Sequence, residues 1–205
     1  MNKLILTSSG LDNKKVQGEF LKLLEGKPDQ TKVLIIFGVR TKEEMNYVGG
    51  SRQELTNLGI LKENIIHANI STDISGKDFK ESFDVVYVCG GNTYYILDRL
   101  RKTGFDKLIK KLVEKNKIYI GVSAGSIIAG PNIKIAGWGS EGDANEVGLK
   151  DLTGFNFTKI SFFPHYRDEL KQEVDKFQGK IDNKIERFKN GEALLIVNNK
   201  IRRIK

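Results

Sequence analysis

Three short stretches of the chain hold residue types that can break an acyl bond together. The first is Gly121-Val122-Ser123-Ala124-Gly125, a G-x-S-x-G pattern with an apolar run before it and small residues after it. A serine on a sharp strand-to-helix turn projects its hydroxyl into the open, and small neighbours let that turn close. In such a turn the amide that follows the serine, here that of Ala124, faces the substrate's carbonyl oxygen as it gains charge. The rival reading is a plain strand–helix turn with a buried serine. The second stretch is Cys89-Gly90-Gly91-Asn92-Thr93, where Gly90 and Gly91 leave backbone amides open to close approach. They are candidates for the second oxyanion donor, and Asn92 or Thr93 can cap the helix that follows. A phosphate cradle or a purely structural turn are the competing uses, but the pattern is neither G-x-G-x-x-G nor a Walker sequence. The third is Phe162-Phe163-Pro164-His165-Tyr166. The chain has only two histidines, and His165 follows an apolar strand where Pro164 fixes the backbone that aims the ring. A serine nucleophile needs a base within hydrogen-bond reach, so His165 is the candidate base. His67 lies inside an alternating strand and reads as structural. Cys89 reads as a small packed strand residue.

These residues need a scaffold that gathers them at one end. Short β-rich runs at Leu4–Thr7, Val33–Phe37, Asn64–Ile70, Asp84–Cys89, Lys117–Gly121, Ile160–Phe163 and Ala193–Val197 alternate with helical patterns at Lys14–Leu24, Glu43–Leu58, Thr93–Leu100, Phe105–Glu114 and Arg167–Phe177. Strands that are apolar without alternation are expected where both faces of a sheet are covered. The fold class is therefore α/β: a three-layer α/β/α sandwich with a mostly parallel central sheet. Asn198-Asn199 between Ala193–Val197 and Lys200–Ile204 marks a C-terminal β-hairpin, since Asn tolerates positive φ. In such sheets sites form at the carboxyl ends of strands, where all three stretches fall.

Composition narrows the setting. The 205 residues, 39% hydrophobic, suit one domain over 1–205. The N-terminal apolar run is too short for a signal peptide, no stretch is long enough for a membrane span, and a single cysteine cannot form an internal disulfide. A cytoplasmic protein is expected, with no membrane partner. The net charge of +8 comes from 34 basic and 26 acidic residues. The basic residues are spread along helix faces and the final alternating strand, which reads as solvation and edge protection rather than a nucleic-acid patch.

Gly90-Gly91-Asn92-Thr93, then Tyr119-Ile120-Gly121-Val122-Ser123-Ala124-Gly125, then Pro164-His165-Tyr166 resemble, in order and spacing, the dipeptidase E and cyanophycinase family of serine peptidases. The resemblance runs from about Ile5 to Val197. It implies a fold like that of class I glutamine amidotransferases, with Ser123 attacking a peptide carbonyl, His165 carrying the proton, and an oxyanion hole from the amides of Gly91 and Ala124 with Gly90 close by. It implies an exopeptidase acting on short peptides, in several members those with an N-terminal aspartate, and it implies no metal and no cofactor. Monomer and homodimer are both compatible with it. The family's third triad residue is an acid in a late loop. Here that loop reads Lys189-Asn190-Gly191-Glu192, so Glu192 is the first candidate; Asn190, nearer in a simple alignment, is the second and would orient the imidazole by hydrogen bonding. Glu141, Asp143 and Asp151 are further acids after the elbow, read as surface-loop residues. Arg167 is a candidate for binding an acidic substrate, against the alternative of a surface arginine. Gly137–Asp143, with the only Trp, reads either as a loop over the site or as an ordinary connection. The rival function is a homologue that kept the sandwich, lost the triad and acts as a binding protein.

Overall fold

The continuous apolar runs divide their side chains between two layers. In β1 (Lys3–Thr7) Leu4 and Leu6 pack on one face and Ile5 on the other; in β2 (Val33–Phe37) Leu34 and Ile36 oppose Val33, Ile35 and Phe37. Alternation is invisible in the sequence because both faces are buried. A computed structural model describes residues 2–39, 42–79 and 82–205 of the chain. Its elements continue as α1 (Lys14–Leu23), α2 (Lys42–Asn57), β3 (Ile65–Asn69), β4 (Val85–Val88), α3 (Thr93–Thr103), α4 (Phe105–Glu114), β5 (Ile118–Val122), α5 (Ala124–Ile128), β6 (Ser161–Phe163), α6 (Lys171–Gln178), β7 (Ile185–Arg187), β8 (Ala193–Val197) and β9 (Lys200–Ile204).

Seven strands form one sheet in the order β3-β2-β4-β5-β1-β8-β9, parallel from β3 through β1 and antiparallel at β8 and β9. One layer, from α1 and α2, buries Val16, Phe20, Val48 and Leu55 against the Ile5–Val33–Ile35 face. The other, from α3, α4 and α5, buries Ile96, Leu100, Ile109 and Ile127 against Leu4, Leu34 and Val86. This is the expected three-layer α/β/α sandwich. The β8–β9 hairpin turns at Asn198 and Asn199, with φ of 51° and 66°, the mirror-image turn that suits strand twist. The outer strand β9 is exposed and basic, which protects a sheet edge.

Two details differ from expectation. The Ile160–Phe163 run does form a strand, but β6 leaves the main sheet and pairs in parallel with β7 alone. Periodicity reports a strand, not its partner. The Arg167–Phe177 pattern splits into a 3-10 turn at Asp168–Leu170 and the shorter helix α6.

Strand register gathers the site. Thr7 pairs with Val122 and Val88 with Gly121, so the ends of β1 and β4 flank the turn after β5. Thr7 also pairs with Ala193 of β8, which brings the loop at 189–192 beside Ser8.

Candidate active site

The turn at Gly121–Gly125 is tight and strained at its centre. Ser123 has φ of 48° and ψ of −109°, a region that L-residues avoid. Its amide donates to Thr7 O at 3.0 Å, and its carbonyl accepts from Ser126 and Ile127, so the surroundings hold it there. A Cβ on Gly121 would sit 2.7 Å from the backbone of Gly125, and one on Gly125 would sit 2.3 Å from Val88 O. Both glycines are therefore obligatory: the elbow crosses directly over the end of β4. The Ser126 hydroxyl, bonded to Thr7 O and Gly121 O, and the Tyr119 hydroxyl, bonded to Gly125 O at 2.7 Å, brace the turn from below.

His165 approaches from the loop after β6. It too has a left-handed backbone, φ of 52°, held by its amide donating to Ser8 Oγ at 2.7 Å. The imidazole Nε2 lies 3.0 Å from Ser123 Oγ, and Nδ1 lies 2.7 Å from Asn190 Oδ1. An amide oxygen only accepts, so Nδ1 carries the proton and Nε2 presents a lone pair to the serine hydroxyl. The Ser8 hydroxyl hydrogen faces Asn190 Oδ1 at 3.2 Å and Phe188 O at 3.4 Å. Ser8 thus ties the backbone of the histidine to the side chain that orients its ring. Sequence reasoning passed over Ser8. Its signal was a run of small polar residues, Thr7-Ser8-Ser9-Gly10, at the carboxyl end of a strand that neighbours the elbow strand.

Glu192, the first candidate for the third triad position, is not at the histidine. Its Oε2 accepts from the Lys189 amide at 2.8 Å and from Arg203 at 2.6 Å. Gly191, at φ of 79°, turns the chain between the two candidates, so Asn190 faces His165 and Glu192 faces β9. The loop is fixed by Gly191 N donating to Ser9 Oγ and by Asn13 Nδ2 donating to Gly191 O, both at 2.8 Å. Nor do the other acids reach the imidazole. Glu141 pairs with Arg167, Asp151 pairs with Arg101, and Asp143 accepts from the Thr93 amide at 2.8 Å at the start of α3. Hydrogen bonding and charge from Glu141 hold the Arg167 guanidinium still more firmly in its cationic form.

Around the serine the amides of Gly91 and Ala124 donate to no acceptor among the described residues. Gly91 has φ of 135°, and a Cβ on Gly90 would press to 3.2 Å from Ser123 Cβ. The glycine pair thus lets the β4–α3 turn pass against the turn at Ser123, with Asn92 capping α3 through Tyr95 N. Two clefts meet at Ser123 and His165. One, of about 610 Å³, runs between β1, α2 and β4 past Phe37, Glu54 and Tyr87. The other, of about 140 Å³, is lined by Ile135, Trp138, Phe163 and Leu170. Trp138 stacks near Phe177 at 4.7 Å and donates to Glu173 O at 3.0 Å, so the Gly137–Asp143 segment forms a wall of the smaller cleft. Cys89, in the wall of the larger cleft, is buried, and burial pushes its thiol up to about 12. His67, on the edge strand β3 with its ring edge toward Phe37, is remote from this constellation.

The same architecture recurs in known proteins. The profile of peptidase family S51 matches residues 4–204. The chain belongs to this family. A protein of Listeria monocytogenes named as an uncharacterized peptidase is 36% identical over 203 residues, covering 96% of this chain and 95% of that one. Peptidase E of Escherichia coli is 27% identical over 179 residues, covering 84% of this chain and 72% of the enzyme. Among solved structures, a peptidase E candidate from Listeria monocytogenes EGD-e, determined at 1.5 Å, superposes with a TM-score of 0.79 at 29% identity, over 100% of this chain and 98% of its own. An S51 member with this sandwich is a serine-type peptidase of the dipeptidase E kind. No helix among the described residues is long and apolar enough to cross a membrane.

Proposed function

We propose that the protein is an exopeptidase of short peptides in which Ser123 is the nucleophile, His165 the general base and acid, and Asn190 the group that orients the imidazole. The observation that carries this reading is the unbroken line from Ser123 Oγ through Nε2 and Nδ1 of His165 to Asn190 Oδ1, with spacings of 3.0 and 2.7 Å. His165 takes the hydroxyl proton as Ser123 attacks the scissile carbonyl. The amides of Gly91 and Ala124 receive the oxyanion. The protonated imidazole then releases the amine, and water repeats the sequence on the acyl-enzyme.

The two clefts on either side of the serine suit the acyl and leaving parts of a small peptide. The larger is in the usual range for a small-molecule site. N-terminal aspartate is the preference the family resemblance suggests. Arg167, half-exposed and paired with Glu141, is not a free guanidinium for its carboxylate.

Asn190 cannot stabilise an imidazolium as a carboxylate would, which favours a slower enzyme than a Ser-His-acid triad gives. The test is mass spectrometry of the protein quenched during turnover of an activated aminoacyl ester. An acyl adduct on the peptide containing Ser123 is expected, and its absence while ester is consumed contradicts the assignment.

A further inference from the structure

The larger cleft contains a charged group that acyl transfer does not use. Its walls are mainly apolar, from Phe37, Val39, Val48, Tyr87 and Val122, yet Glu54 of α2 reaches into it. Both of the carboxylate's donors serve one oxygen: Leu11 N at 2.9 Å and Tyr87 Oη at 3.2 Å bond to Oε2. Oε1 has no donor, and no Lys or Arg pairs with Glu54, among the described residues. Oε1 lies over Gly10, where a Cβ would come within 2.9 Å of it; Gly10, at φ of 103°, leaves the space the carboxylate occupies. Burial raises its carboxyl above the usual carboxylate range, and the like charge of Asp12 adds to that, against the hydrogen bonds from Leu11 and Tyr87. Among the described residues this half-buried carboxylate, set in mainly apolar walls and held at one oxygen, meets none of the cations that such groups normally pair with.

We propose that Glu54 is a subsite for an ammonium group of the peptide substrate, its amino terminus or a basic side chain. The proposal rests on the reading of Ser123 as nucleophile, because the cleft that holds Glu54 is the one that ends at Ser123 and His165. The ammonium supplies the missing donor to Oε1, and Tyr87 and Leu11 hold the carboxylate in position to receive it. An N-terminal exopeptidase gains a measure of substrate length from such a contact: a free amino terminus fits, and an acylated one leaves the carboxylate buried and unpaired.

The test separates binding from turnover. Calorimetry on the Ser123→Ala protein compares alanyl-alanine, N-acetyl-alanyl-alanine and N-acetyl-lysyl-alanine, each with Glu54 intact and with Glu54→Gln. Glutamine keeps an oxygen for Leu11 and Tyr87 and removes the charge alone. Alanyl-alanine is expected to bind at least about tenfold more tightly than its acetylated form if the amino terminus is bound, and N-acetyl-lysyl-alanine to recover the loss if a side chain is. Glu54→Gln abolishes either preference. Equal affinity for all three peptides, or a preference that survives Glu54→Gln, overturns the proposal. In parallel, Glu54→Gln with Ser123 intact is treated with a fluorophosphonate. Labelling at the wild-type rate is expected. Loss of labelling in this variant alone makes Glu54 a structural residue and overturns the subsite. Failure of wild type and variant together refutes the nucleophile, while the calorimetry still decides the subsite.

Discussion

Asn190 is where this site departs most from a Ser-His-acid triad, and substituting it gives opposite effects in two directions. Asn190 Oδ1 accepts from His165 Nδ1 at 2.7 Å and faces the Ser8 hydroxyl at 3.2 Å. A neutral hydrogen bond of this kind is worth about 1 kcal/mol and one to a charged partner about 1.5–3 kcal/mol. Asn190→Asp changes the acceptor from neutral to charged just as the imidazole becomes cationic. The residue is exposed, so the gain lies at the low end of the difference. A gain of about 0.5 kcal/mol in the transition state raises kcat about twofold. Asn190→Ala removes the acceptor and releases the ring's orientation, which lowers kcat by roughly 10- to 100-fold. The assay is kcat on a saturating dipeptide, with the rate of fluorophosphonate labelling of Ser123 and thermal unfolding measured beside it. Asn190→Asp with unchanged or lower kcat and native stability, or Asn190→Ala at wild-type rate, refutes the proposed role.

Three further outcomes are expected. Ser8→Ala removes the acceptor that keeps the His165 backbone at φ of 52°, so kcat falls about tenfold while KM moves little, read from steady-state kinetics on one dipeptide. Glu192→Ala loses a partly exposed pair with Arg203, costing about 1 kcal/mol or less in urea unfolding and leaving kcat within about threefold of wild type; a drop of several hundredfold makes Glu192 the triad acid after all. Burial pushes the Cys89 thiol up to about 12, which lowers its thiolate fraction by roughly 10³ at pH 8, so a disulfide reagent is expected to react with it far more slowly in the folded than in the unfolded protein.

The parts of this molecule readable in its sequence are those where one residue type has one physical use. Gly121 and Gly125 flank a serine because any side chain there would strike Gly125 or Val88, and that crowding is what G-x-S-x-G encodes. Val33–Phe37 announces a doubly covered strand because none of its five residues tolerates water. Asn198-Asn199 announces its turn through positive φ.

Where choice depends on distant partners, the signal fades. Asn190 and Glu192 are two residues apart in one polar loop. Which of them meets His165 was decided by Arg203 on β9, by the Lys189 amide and by the turn at Gly191. β7 has three residues with no apolar run, and β6 carries nothing to say that it pairs there rather than in the main sheet. Ser8 and Glu54 acquire meaning only through contacts 157 and 43 positions away along the chain.

The claim at the centre of this account is that Ser123 carries the chemistry. Hydrolysis of a small panel of dipeptides and aminoacyl amides, Asp-X included, measured for wild type beside Ser123→Ala, tests it most directly. Turnover by wild type that falls by at least ~10³-fold in Ser123→Ala, with unchanged folding, is the predicted result. Turnover that persists in Ser123→Ala, or wild-type protein that binds the peptides and cleaves none, contradicts it.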